Sequence, residues 1–263
     1  MQYALVSGGS KGIGYAIATA LAKRKFNLIL VARGKEELET ARTRLETDYL
    51  IHVEILPFDL SREEAADEIA SWCNEKDVQL KMLCNVTGIG GSEDYLSISL
   101  AATRYMLRLN TDPAIALTFH LLPLLKKNSP SYILNVSSMA GLAPVSVKNI
   151  YSAAKSAIIF FSCSLRYQLK KDNISVSCLC PGPVFTKPEI QKDTIKKLGW
   201  WGKQMAVSAE KAGETAVRKT LKGKMMIIPG ILPAIIAFFL QLAPRGMINA
   251  IYYKRSVTIK NNH

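Results

Sequence analysis

The chain has 263 residues, 49% hydrophobic and 21% charged, with a formal net charge of +13. That composition excludes a disordered chain, and the length suits one large α/β domain or two small ones with a sizeable core. The charge is one-sided: residues 1–130 carry 15 Lys/Arg against 16 Asp/Glu, and residues 131–263 carry 19 against 5. A basic half points to an anionic partner, such as a phosphorylated cofactor or substrate, an acidic carrier or anionic lipid; a solvated lysine surface explains it equally well.

Short apolar runs alternate with helical patterns. "YALVSGG" reads as a strand and "GIGYAIATALAKRK" as a helix; "FNLILVAR" as a strand and "KEELETARTRLETDY" as a charged helix. "HVEILPFDL" precedes the helix "REEAADEIASWCNEK", and the strand "LKMLCNVTG" precedes a long helix through "TRYMLRLNTDPAIALTFHLLPLLKK", with Pro113 near a start or kink. "SYILNVSS", the helix "IYSAAKSAIIFFSCSLRYQLKK" and the strand "ISVSCLCPG" complete the pattern. This alternation predicts an α/β fold: a doubly wound parallel sheet with helices on both faces, in a single domain over residues 1–263. The first apolar run starts at residue 3 and enters a glycine loop, so no signal peptide is expected. Five cysteines without metal-ligand spacing, and three histidines without a partner set, suggest reduced thiols, no metal and a cytoplasmic chain.

Ligands of open α/β sheets bind at the carboxyl ends of the strands. In "SGGSKGIG" the segment Gly8, Ser10, Lys11, Gly12, Ile13 and Gly14 joins the first strand to its helix. Glycines there permit a tight turn and let backbone N–H groups approach a pyrophosphate at the helix N-terminus. The second strand ends "LVAR", with Arg33 where a site for an unphosphorylated ribose usually carries Asp or Glu. Arg33, with Lys11 nearby, predicts pairing to a 2′-phosphate and hence NADP(H). Asp59 in "PFDL" is placed to accept from an adenine amino group, with Leu60 beside the ring; an ordinary helix N-cap is the equal alternative.

Taken in order, these segments resemble the short-chain dehydrogenase/reductase family over residues 2 to about 187. "SGGSKGIG" is similar to the family's Thr-Gly-x-x-x-Gly-x-Gly, with Ser7 for Thr. "NVTG", Asn85 to Gly88, is similar to Asn-Asn-Ala-Gly, departing at Val86 and Thr87. The resemblance implies a Rossmann-type, seven-stranded sheet. It implies a catalytic set of Asn110, Ser138, Tyr151 and Lys155, cofactor contacts at Asn85, Gly88, Tyr151 and Lys155, and a nicotinamide cradle of Pro181, Gly182, Val184 and Thr186 in "PGPVFT". Tyr151 and Lys155 stand four apart on one helix face. Tyr151 is then the general acid/base for a carbonyl substrate, Ser138 a hydrogen-bond donor to its oxygen, and Lys155 a cation expected to lower the phenol's pKa from about 10. Family members are often homodimers or homotetramers. A catalytically silent NADP-binding sensor or scaffold, and an NAD-dependent alcohol dehydrogenase, are the alternatives; nucleic acid is not an expected partner.

Past Thr186 the chain turns basic. Residues 187–224 are expected to form a substrate lid, with Trp200 and Trp201 either closing over an apolar substrate or packing the lid down. Residues 225–263 are expected to form an apolar and basic extension, with a helix from Pro233 to Pro244 too short to span a bilayer. This element suits its own core, another subunit, or an anionic membrane surface, and an acyl, lipid-like or steroid-like ketone is the substrate class it suggests.

Overall fold

Runs of Leu, Ile and Val bounded by small polar residues form strands buried on both faces. The structure, a computed structural model, describes residues 2–90, 98–185, 206–250 and 253. Strands β1 (Tyr3–Ser7), β2 (Asn27–Ala32), β3 (Val53–Pro57), β4 (Leu80–Asn85), β5 (Ser131–Val136) and β6 (Ile174–Leu179) all pair in parallel. Two-residue strands β7 (Val184–Phe185) and β8 (Val207–Ser208) pair separately. With β9 (Met226–Ile227) beside β6, the seven-stranded order is β3-β2-β1-β4-β5-β6-β9, so β3 and β9 are its edges.

The helices are α1 (Gly12–Ala22), α2 (Lys35–Tyr49), α3 (Ala65–Glu75), α4 (Leu100–Lys127), α5 (Asn149–Gln168), α6 (Ala209–Leu221) and α7 (Ile231–Leu242). The two-residue alternation of each strand divides the core between the faces of the sheet. Ala4, Val6, Leu28 and Leu30 meet Ile17 and Leu21 of α1, Leu38 of α2 and Val217 of α6. Leu5, Ile29 and Leu83 meet Ile69 of α3 and Leu117 and Leu121 of α4 on the other face. Each fully buried Leu, Ile or Val among them contributes about 1.5–3 kcal/mol from the area removed from water.

The second half differs from expectation in two places. The described part of the predicted lid contains α6, a helix that covers the sheet: its Ala212, Ala216 and Val217 are fully buried. A Cβ on Gly213 would lie 2.5 Å from the carbonyl carbon of Ala16, so α6 and α1 meet backbone to backbone, and an Arg24–Glu214 ion pair ties them further. Likewise the predicted extension opens with β9, which completes the sheet. The reason is physical: within "KMMIIPG" only Met226 and Ile227 form the strand, and an isolated two-residue strand has no period to read. Trp200 and Trp201 lie outside the described residues.

Candidate active site

Strand order reverses between β1 and β4, and a cleft of about 710 Å³ opens at their carboxyl ends. Gly8, which lines it, and Gly12, in the same loop, adopt φ of +67° and +60°, the left-handed region that favours glycine. A Cβ on Gly14 would sit 2.0 Å from the Gly8 carbonyl oxygen, so no larger residue fits. The N-cap of α1 is Lys11, whose side chain makes no capping bond, and no acid occupies the first turn. The N–H groups of that turn therefore face the cleft as an anion site. Ser7 accepts from the backbone N–H groups of Val86 (2.9 Å) and Thr87 (3.2 Å), so the departure from the family pattern at those two residues leaves the turn after β4 held.

Arg33 and Lys11 both line the cleft. So does Glu37, from the first turn of α2, with its carboxylate 3.7 Å from Lys11 Nζ. An acid is thus present after all, supplied one turn beyond the strand end rather than at it. Ser10, Ile13, Asp59, Leu60, Gly88, Pro181, Gly182 and Val184 also line the cleft; Thr186 lies outside the described residues. Asp59 is not the cap of α3. It accepts from the Ser61 N–H (2.9 Å), and that bond holds its carboxyl below the usual range. Gly12 shapes the loop without lining the cleft. Asn85 does not line it either: its amide donates to Asn135 Oδ1 (2.8 Å) and Thr118 Oγ1 (3.1 Å), bracing β4 against β5 and α4.

Asn110, Ser138, Tyr151 and Lys155 converge on one end of the cleft. Asn110 is buried within α4 and donates to Met106 O (2.9 Å) and Ile89 O (3.0 Å), while its Oδ1 has no partner among the described residues. Gly88 makes room there: a Cβ on it would lie 2.5 Å from Asn110 Oδ1 and 3.2 Å from Lys155 Nζ. Lys155 is buried, donates to Val136 O (3.2 Å) and lies 5.8 Å from the Tyr151 ring centre. Ser138 Oγ accepts from Ala140 N–H (3.1 Å), which leaves its proton to donate. The glycine positions, the unfilled first turn of α1, two cations and an orphaned acceptor all fit a nicotinamide dinucleotide.

Burial governs the charges. It lowers the Lys155 ammonium to about 8. Desolvation also raises the Tyr151 phenol, against a smaller lowering from its hydrogen bond with Ser138. The expected net lowering of Tyr151 is therefore not what the chain alone displays: loss of water outweighs the hydrogen bond with Ser138.

Three residues escaped the sequence reasoning. Ser137 Oγ donates to Lys155 O (2.6 Å), and a Cβ on Gly141 would lie 2.6 Å from the Lys155 carbonyl carbon. These two pin the Ser138 loop to α5; "SSMAG" carried the signal, a second serine and a glycine flanking the one assigned. Lys148 Nζ lies 5.7 Å from the Tyr151 ring centre, a cation–π contact at i−3.

Residues 2–197 match the family model described as short chain dehydrogenase. Very-long-chain 3-oxoacyl-CoA reductase of Mus musculus is 26% identical over 269 residues, covering 100% of this chain and 82% of that protein. Two solved structures share the fold. The short-chain dehydrogenase from Sphingobium yanoikuyae in complex with NADPH has a TM-score of 0.80 at 24% identity over 94% of this chain and 95% of that one. The 3-oxoacyl-[acyl-carrier protein] reductase with bound NAD from Brucella melitensis has 0.74 at 21% identity over 88% and 90%. The chain belongs to the short-chain dehydrogenase family and is an oxidoreductase of that family.

Proposed function

We propose that the protein is an NADPH-dependent reductase of an apolar ketone or aldehyde, with a 3-oxoacyl thioester as the favoured substrate class. The convergence of Tyr151, Ser138, Lys155 and Asn110 at one end of the cleft carries this reading. A silent sensor on the same fold would have no need to keep all four. The name of the mouse relative and the apolar C-terminal region support the acyl substrate. The bound dinucleotide supplies the hydride. Ser138 donates a hydrogen bond to the carbonyl oxygen as charge develops on it. Tyr151 delivers the proton to that oxygen. Lys155 favours the phenolate left behind; once it has passed a proton on to that phenolate it can be reprotonated from solvent past Asn110 Oδ1. A screen of NADPH oxidation against aldehydes, ketones and 3-oxoacyl thioesters tests the assignment; turnover of none of the three classes would remove it.

Cofactor choice rests on Arg33 and Lys11 at the ribose end, where Glu37 opposes them. Losing one charge-assisted contact of about 1.5–3 kcal/mol corresponds to roughly ten- to a hundredfold. Arg33→Asp is therefore expected to weaken NADPH by that factor and turn the preference toward NADH. An unchanged ratio of kcat/KM for the two cofactors would exclude Arg33 from the site.

A homo-oligomer is proposed on a separate observation. Ile115 and Phe119 of α4 and Phe160 and Tyr167 of α5 are all exposed on neighbouring helices. Phe119→Asp with Phe160→Asp is expected to yield monomers in sedimentation velocity; an unchanged mass would move the contact elsewhere.

A further inference from the structure

Helix α7 buries its small residues and exposes its large ones. Only Pro233 and Ala237 of α7 are buried, whereas Ile231, Phe238, Phe239 and Leu242 are 83%, 59%, 63% and 68% exposed. An ordinary surface helix turns its apolar stripe to the core. Here Ile231, Ile235, Phe238 and Leu242, at helical spacing, form a stripe facing outward. Beside the stripe a groove of about 700 Å³ runs between α7 and α6. One wall is Lys211, Thr215, Arg218 and Lys219, which share a face of α6; the other is apolar, from α7, and among the described residues no acidic side chain lines the groove. Glu214 of α6 is engaged by Arg24.

We infer that this face docks on an anionic phospholipid bilayer. The Phe238 and Phe239 side chains enter among the acyl chains, and Lys211, Arg218 and Lys219 meet the headgroup phosphates. Twelve residues of α7 reach about 18 Å, so the helix lies in the interface and does not cross a core of about 30 Å. No helix among the described residues is long and apolar enough to cross. Charge decides the occupant. A second copy brings an equally basic face, and twofold contact would set cation against cation. An anionic bilayer offers apolar depth and negative charge together. Orientation is consistent: β9 runs parallel to β6, so α7 starts at the carboxyl edge of the sheet, where the cleft opens. A Cβ on Gly230, just before α7, would lie 3.4 Å from Val207 of β8, which pairs with cleft-lining Val184.

The inference stands on exposure and charge, apart from the proposed activity. The full chain is floated with vesicles of phosphatidylcholine, with and without phosphatidylserine, at low and physiological salt. Co-flotation is expected only with phosphatidylserine, weakening as salt rises. Lys211→Ser, Arg218→Ser and Lys219→Ser together should weaken it on the order of a hundredfold. Phe238→Ser with Phe239→Ser should abolish it at every salt concentration. Cofactor binding and the near-ultraviolet circular dichroism of both variants should match the wild type, which separates lost docking from lost fold. Wild type that fails to float with phosphatidylserine overturns the inference. So does equal flotation of the cation variant, or a Phe238/Phe239 variant that falls from oligomer to monomer, which would give the face to a second copy.

Discussion

Replacing Tyr151 with Phe is expected to lower NADPH-dependent turnover by about a hundred- to ten-thousandfold, the range of a positioned general acid. The substitution deletes one oxygen and keeps the ring that Lys148 and Lys155 flank. The fold and the glycine loop are untouched, so NADPH should still bind in a fluorescence titration. Ser138 would keep its bond from Ala140 and still polarise the carbonyl, which leaves a residual rate. Turnover within a few fold of wild type would mean that the proton comes from elsewhere.

Lys155→Met should separate catalysis from stability. Burial lowers the ammonium from 10.5 to about 8, a shift worth on the order of 3 kcal/mol against the charged folded state. Below pH 8 both folded and unfolded chains hold the proton, so the penalty is fully present. Between pH 8 and 10.5 the folded chain gives it up first, and above 10.5 the penalty is gone. The variant is therefore expected to unfold at higher denaturant than wild type at neutral pH, less the value of the bond to Val136 O, and that advantage should shrink as pH rises through the window. Its turnover should fall by at least as much as that of Tyr151→Phe. Comparing the two proteins at each pH cancels the buried thiols Cys73 and Cys84, which burial raises and which pull stability the other way. A pH-independent gap would show that Lys155 is not a buried cation.

The halves of the fold differed in legibility for physical reasons. Strands such as "NLILVA" are buried over nearly their whole length, and the glycines that follow β1 announce a turn that other residues cannot make, so the first six strands and the glycine loop of the cleft could be read from the sequence. Helix α6 and β9 could not, because "AEKAGETAVRKTL" reads as a solvated helix until the Ala16–Gly213 approach is known. At the site, chemistry-bearing residues were legible and their environments were not. Asn85 matched a cofactor segment, yet its amide faces inward to Asn135. Glu37 was one of many acids on a charged helix until the turn after β2 brought it beside Lys11. The direction of the Tyr151 shift depends on how much water its pocket excludes, and no spacing of letters reports that.

The two edges of the sheet have a bearing on how the protein behaves when crowded. β3 closes with Pro57, which has no N–H to offer a neighbour, and β9 is two residues long. Neither provides a template on which a foreign strand could extend the sheet. Aggregation by strand recruitment is thereby discouraged at both ends. The sticky surfaces of the molecule are helical, on α4, α5 and α7, where side-chain fit rather than backbone pairing decides what adheres.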